Sequence, residues 1–303
     1  MRVSFHPDYR VDLGPSHPFP MGKYPLLHQL LLERGLIFPQ NVMRPEEAEL
    51  TMLARVHTPE YLQKLTDGSL SEKEIRVLGL RWSASLWRRS RLASQGTYLA
   101  ALAALSDGLA ANLAGGTHHA FADHGEGFCV LNDVAISVAS LRAQKLASRF
   151  LIVDLDVHQG NGTAAIFEND SSVFTLSLHG ARNYPAQKAS SSLDVALDDG
   201  TTDVEYLQAL AEVLPGALAA ARPDLVFYLA GVDVVAGDRY GRLAMSSQGL
   251  LARECYVLKT VRDREVPLVI TLAGGYAATP LATAQLHSHV FEAAIEVECG
   301  AVN

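Results

Sequence analysis

The sequence predicts an α/β fold, a mostly parallel sheet flanked by helices, and three observations carry that expectation. From about Arg149 onward, apolar runs rich in Val, Ile, Leu and Phe recur at 150–155, 173–178, 225–230 and 268–272. Such runs suit strands buried on both faces of a parallel sheet, where no face alternates toward water. Between them lie helical stretches at 163–169, 204–221 and 248–263, and this βαβα rhythm sets strands parallel. Of the 303 residues, 49% are hydrophobic and 19% charged, enough apolar content for one large core, so 1–303 is read as one domain.

The first half reads as more helical. Pro45-Glu46-Glu47 opens a helix with Pro in its first turn, and Thr58-Pro59-Glu60 opens another. The Ala-rich stretch 97–116 contains Ser106, Asp107 and Asn112, which makes it a buried helix rather than a membrane span. Asn132-Asp133 caps a helix running to about Ala147. Two irregular stretches, 14–22 and 179–200, are candidate rims of a site, because long loops in compact domains are commonly functional. There is no internal repeat, low-complexity tract or linker.

A formal net charge of −8 argues against direct nucleic-acid binding, which depends on Lys and Arg neutralising phosphates, and leaves a cationic substrate open. Cys129, Cys255 and Cys299 match no disulfide or zinc framework, so a reducing compartment is expected. The opening residues, Met1 to Asp8, lack an apolar signal core; a cytoplasmic location and no membrane partner are expected.

The most informative stretch runs from Phe150 to Gly162. On a strand, Asp154, Asp156 and His158 share one face while Val153, Leu155 and Val157 take the other. Gly160 and Gly162 then break the strand, leaving the three ionisable residues at its C-terminal end, where open α/β sheets hold ligands. Two adjacent buried carboxylates are costly unless a cation lies between them. Carboxylate and imidazole suit zinc, with an open position for water; a salt-bridged strand end without metal is the alternative. A third ligand is offered by Asp233, after the run 225–230 and Gly231. Val235 leaves one carboxylate there, which suits one metal rather than two.

Gly115-Gly116-Thr117-His118-His119-Ala120 places two imidazoles in a Gly-rich loop, and Asp154 is an orienting carboxylate for one of them. Ala273-Gly274-Gly275-Tyr276 ends another strand with a bend that aims a phenol over the sheet edge, where it could donate to an oxyanion. A nucleophilic Cys129 would make a cysteine hydrolase instead, but it leaves the acidic strand ends without a role.

Gly-Gly-Thr-His-His-Ala at 115–120, Gly-Phe-Cys-Val-Leu-Asn-Asp at 127–133, Asp-Leu-Asp-Val-His-Gln-Gly-Asn-Gly at 154–162, Gly-Val-Asp at 231–233 and Gly-Gly-Tyr at 274–276 together resemble the histone deacetylase family. The resemblance spans about His17 to Tyr276 and is nearest to the class IV and bacterial branches. It implies the three-layer arginase/deacetylase fold and zinc held by Asp156, His158 and Asp233. It implies His118 as general base paired with Asp154, His119 acting with it in proton transfer, and Tyr276 polarising the scissile carbonyl. Gly127 and Phe128 would line a narrow acyl-lysine tunnel, and a structural potassium ion would lie near Asp154, Asp156, His158, Ser177 and Leu178. Two departures stand out. Gln159 and Asn161 replace the His and Asp of many nuclear members, which makes the amide of Asn161 the expected partner of His119. The loop 178–185 is expected to lack their second aromatic wall.

The resulting expectation is a zinc-dependent hydrolase that removes an acyl group from an acylated lysine in a peptide or protein. Acylpolyamines or other small acylated amines are the nearest alternative substrates. An arginase-like two-manganese ureohydrolase and a non-catalytic metal-dependent binding protein are the more distant readings.

Overall fold

The computed structural model describes residues 1–300; residues 301–303 of the expected domain, and the side chain of Cys299, lie outside the described residues. Eight strands form one sheet: β1 (Arg2–Ser4), β2 (Val42–Met43), β3 (Leu109–Asn112), β4 (Phe150–Asp154), β5 (Val173–Gly180), β6 (Leu193–Leu197), β7 (Leu225–Leu229) and β8 (Leu268–Thr271). Their order is β2-β1-β3-β8-β7-β4-β5-β6, and every pairing is parallel, so the sheet is wholly rather than mostly parallel. The helices are α1 (Lys23–Glu33), α2 (Leu50–Leu53), α3 (Pro59–Asp67), α4 (Glu72–Leu78), α5 (Ala84–Asp107), α6 (Asp133–Ala143), α7 (Asn161–Phe167), α8 (Asp203–Ala221), α9 (Ser247–Arg262) and α10 (Pro280–Gly300).

The sheet is the middle of three layers. Leu151 and Val153 of β4 pack with Leu210 and Leu214 of α8 and Val257 and Val261 of α9. On the other face, Phe150 and Ile152 pack with Ala100 and Ala104 of α5 and Val138 and Leu141 of α6. Burial on both faces explains why β4, β7 and β8 are apolar runs up to their last residues. No helix among the described residues is long and apolar enough to cross a membrane.

The strand order also locates a crevice. After β4 the chain moves outward to β5 and β6; after β7 it moves the opposite way, to β8. Neighbouring strands whose connections diverge leave an opening at their C-terminal ends, the topological switch point where α/β sheets hold ligands. The segments leaving β4 and β7 carry Asp156, His158 and Asp233.

Several sequence expectations are corrected here. The helix expected over 97–116 stops at Asp107; Gly108 turns with φ 86° and 109–112 becomes β3, paired between β1 and β8. Pro45 opens no helix, since the first turn nearby is the short α2, with Glu49 at its N-cap. The helix capped by Asn132 ends at Ala143, before Ala147. The stretch 179–200 is not a continuous loop: β5 extends to Gly180 and β6 adds an edge strand. β4 itself ends at Asp154, so strand alternation does not place Asp156 and His158; local hydrogen bonds hold them instead.

Candidate active site

The floor of the site is built at the switch point. Asp156 N–H donates to Asp154 Oδ1 (3.2 Å) and His158 N–H to Asp156 Oδ1 (2.9 Å), a stepped turn that continues the strand end. Val157 N–H donates to Asp233 Oδ1 (2.9 Å), and Gly274 N–H to Asp156 Oδ2 (2.6 Å). Asp156, His158 and Asp233, named separately from two stretches of sequence, therefore meet: one ligand atom from each lies within 4.8 Å of the others. Behind them Arg253 of α9 donates to Leu155 O (3.0 Å) and Gly231 O (2.8 Å), joining the segments that follow β4 and β7. Glu254 accepts from the same guanidinium (2.6 Å), so this buried cation is paired.

This donor set fits a cation. His158 Nδ1 lies 3.0 Å from Asp156 Oδ1 and 3.2 Å from Asp233 Oδ2, and Asp233 Oδ2 is buried with no hydrogen-bond partner. Burial, then the neighbouring Asp156, raise the pKa of Asp233, so a cation between the two crowded carboxylates would relieve them. Gly274 keeps the approach open, because a Cβ there would collide with Oδ2 of both Asp233 and Asp156. Two oxygens and one nitrogen in a dry setting match a three-ligand zinc centre with a free position.

His118 and His119 lie above this floor, their ring centroids 4.1 Å apart, in unlike surroundings. His118 Nδ1 donates to Asp154 Oδ2 at 2.7 Å. Burial pulls the His118 pKa down, but Asp154 and Asp156 outweigh it and hold the ring near 9. His119 Nδ1 meets Asn161 Oδ1 at 2.6 Å, the amide partner expected from the sequence. Burial, then the charges of His118 and His158, depress His119 well below the ordinary histidine value, so the ring is neutral at neutral pH.

Above the histidines a pocket of about 280 Å³ is lined by Gly127, Phe128, His119, His158, Tyr184, Tyr240 and Tyr276. Gly127 (φ 53°) and Phe128 (φ 67°) occupy a left-handed turn closed by Cys129 N–H donating to Glu126 O (2.8 Å), which swings the Phe128 ring inward. His17 and Phe19 from the 14–22 loop each pack edge-on against Phe128 at 5.6 Å. The Tyr276 ring stands 6.5 Å from that of His158, and its backbone N–H donates to Asp238 Oδ2 (2.7 Å). Burial, then Asp156 and Asp233, raise the Tyr276 phenol well above its ordinary pKa, so it remains a hydrogen-bond donor. Cys129 is buried with its thiol pushed up by burial, which removes the cysteine-nucleophile alternative.

The loop 178–185 was expected to leave one wall of the pocket without an aromatic ring; the structure corrects this. Tyr184 stands edge-on to His119 at 5.1 Å, and Tyr240 edge-on to Tyr276 at 4.9 Å. Sequence reasoning also missed Asp238, which accepts from the N–H groups of Tyr276 (2.7 Å), Tyr240 (2.8 Å) and Gly241 (3.0 Å). It missed Lys23, buried in α1 with Nζ donating to Ala273 O (2.9 Å) and its pKa lowered to about 8 by burial. The only sequence signal for Asp238 is a turn-forming Gly237-Asp238 pair; a lysine beside apolar residues gives none. Asp154 pairs in register with Ser177 across β4 and β5, and Asp156 and His158 follow in the segment after β4.

Residues 17–293 match the family described as Histone deacetylase domain. The chain belongs to the histone deacetylase family. It is 48% identical to an uncharacterized protein of Picosynechococcus sp., over 97% of this chain and 98% of that protein. It is 32% identical to Histone deacetylase 2 of Arabidopsis thaliana, over 86% of this chain and 70% of that protein. The figure for Histone deacetylase 8 of Xenopus tropicalis is also 32%, over 83% of this chain and 72% of the relative. The crystal structure of an HDA15 HD domain superposes with a TM-score of 0.76 at 27% identity, covering 99% of this chain and 91% of that one. The three layers described above are thus the arginase/deacetylase fold, and membership of this histone deacetylase family makes the chain a hydrolase of the deacetylase class.

Proposed function

We propose that this histone deacetylase-family chain, as one catalytic domain over 1–303, is a single-zinc deacylase acting on the ε-acyl amide of lysine in peptides or proteins. The observation that carries the reading is the convergence of Asp156, His158 and Asp233 beneath two histidines and a phenol. Zinc bound by these three residues would polarise the amide carbonyl and lower the pKa of water. Phe128, Tyr184 and Tyr240 form an aromatic sleeve for an extended, apolar acyl-lysine arm, with Gly127 giving it room. His119, neutral and with Nδ1 engaged by Asn161, takes the proton from the attacking water. His118, charged against Asp154, stabilises the developing negative charge and supplies a proton to the departing amine. This division moves the general-base role expected for His118 to its neighbour. The Tyr276 hydroxyl donates to the oxyanion.

We further assign a potassium ion to Asp154, Asp156, His158, Ser177 and Leu178, supported by the register of β4 on β5. A cytoplasmic setting is supported by the free thiols of Cys129 and Cys255. A two-metal ureohydrolase is disfavoured because a single three-ligand cluster occurs among the described residues, with Val235 where a second carboxylate would be needed. The test is deacylation of a fluorogenic acetyl-lysine peptide with and without chelator, alongside metal analysis. Zinc at one per chain with chelator-sensitive turnover is expected; activity surviving complete zinc removal overturns the reading. An acetylpolyamine hydrolysed far faster than the peptide would replace the substrate assignment.

A further inference from the structure

His119 is held by an amide, and the amide is held in turn by a carboxylate. Asn161 Oδ1 lies 2.6 Å from His119 Nδ1, and Asn161 Nδ2 lies 2.8 Å from Glu126 Oε1. The same Glu126 oxygen accepts from the Tyr184 hydroxyl, while Oε2 lies 3.6 Å from His124 Nε2. Only 15% of the Glu126 side chain is exposed. Its backbone is pinned by the reciprocal Glu126–Cys129 hydrogen bonds (3.1 and 2.8 Å) of the turn that carries Phe128. This carboxylate is built into the wall of the pocket.

The chemistry of the three groups fixes the direction of every bond. An ionised carboxylate accepts and never donates, so the NH₂ side of the Asn161 amide must face Glu126. The amide oxygen then faces His119 and can only accept, which puts the ring proton on Nδ1. A neutral His119 in that tautomer has its lone pair on Nε2. Rotating the amide by half a turn would bring two oxygens together at the Glu126 contact and present N–H to His119 Nδ1, selecting the opposite tautomer.

We propose that Glu126 is a positioning residue of the active site, fixing the His119 tautomer through Asn161 so that Nε2 is the proton-accepting atom. The consequence for turnover rests on the reading of His119 as the base in deacylation; the tautomer itself does not. Holding Tyr184 is a separate task of the same carboxylate, and Tyr184→Phe isolates it.

The decisive experiment is a charge-reversed pair. Asn161→Asp sets two carboxylates against each other at the Glu126 contact and is expected to lower kcat/KM about 10- to 100-fold. Adding Glu126→Gln provides an amide that donates to the carboxylate introduced at position 161, and the double variant is expected to return to within about threefold of Glu126→Gln alone. In parallel, imidazole ¹⁵N shifts of the zinc-loaded protein, assigned by difference against His119→Phe, report the tautomer directly. Wild type, Glu126→Gln and Tyr184→Phe should show Nδ1–H on His119, and Glu126→Ala should lose it while melting cooperatively. A double variant no faster than Asn161→Asp, or an unchanged tautomer in folded Glu126→Ala, overturns the proposal. If the wild type turns over no acyl substrate, the functional reading fails, and the ¹⁵N spectra still decide the role of Glu126.

Discussion

The floor of the site and its mouth are made differently. The floor takes Asp154, Asp156 and His158 from five consecutive residues and Asp233 from the segment after a neighbouring strand, all fixed by short hydrogen bonds. The mouth takes Phe19, Phe128, Tyr184, Tyr240 and Tyr276 from five separate segments, packed mainly through edge-on aromatic contacts at 4.9–5.9 Å. Directional bonds between near neighbours fix chemistry, whereas packing between distant segments fixes only shape. Substitutions in the floor should therefore abolish turnover, and those that reshape the mouth should alter which substrate is turned over, while Tyr276, whose phenol faces the floor, belongs to both.

The largest expected effect breaks the floor. Asp233→Ala removes a proposed zinc ligand and the N–H acceptor for Val157 together, and is expected to reduce bound zinc and lower deacylation by at least about 10³-fold, equivalent to several kcal/mol. Metal analysis and peptide turnover check it; full zinc content with full activity would dissolve the contrast between floor and mouth. Next, Tyr276→Phe leaves the mouth's shape intact but removes the proposed oxyanion donor, so kcat should fall about 10²- to 10³-fold with KM little changed.

A third prediction concerns the loop that joins the two regions. His57 Nε2 accepts from Asn132 N–H (3.0 Å), and Asn132 Nδ2 donates to Ala120 O (3.1 Å), bracing the chain just after His118 and His119. Burial lowers His57 from 6.5 to about 4. Above pH 6.5 the ring is neutral both folded and unfolded, and stability is full. As pH falls through 6.5 toward 4, the unfolded chain takes up a proton that the fold refuses, and about 3 kcal/mol is lost. Urea denaturation at pH 7 and pH 4 should show this loss, and His57→Gln should make the difference smaller. The smallest effect sharpens the mouth: Tyr184→Ala should raise KM for short acyl groups several-fold with kcat reduced less, read by a panel of acyl lengths on one peptide.

The contrast also explains what could be read from the sequence. Asp156, His158 and Asp233 were legible because β4 and β7 are dense apolar runs that end in carboxylates and glycines, so strand identity and site location come from the same residues. β3 was not legible: Leu109-Ala110-Ala111-Asn112 continues the small-residue pattern of α5, and only pairing with β1 and β8 makes it a strand. Tyr184 and Tyr240 were missed for a related reason, since a tyrosine in a loop shows its orientation only once distant segments meet. The partner of His119 lay nearer to hand, because Asn161 belongs to the same motif as Asp156 and His158.

The guanidinium beneath the floor has one more consequence. Arg253 grips Leu155 and Gly231 from below through their backbone carbonyls, not through the side chains that would hold a cation. Chelated protein should thus keep its receptor preshaped, and reloading should proceed at the pace of diffusion and ion dehydration rather than of chain rearrangement.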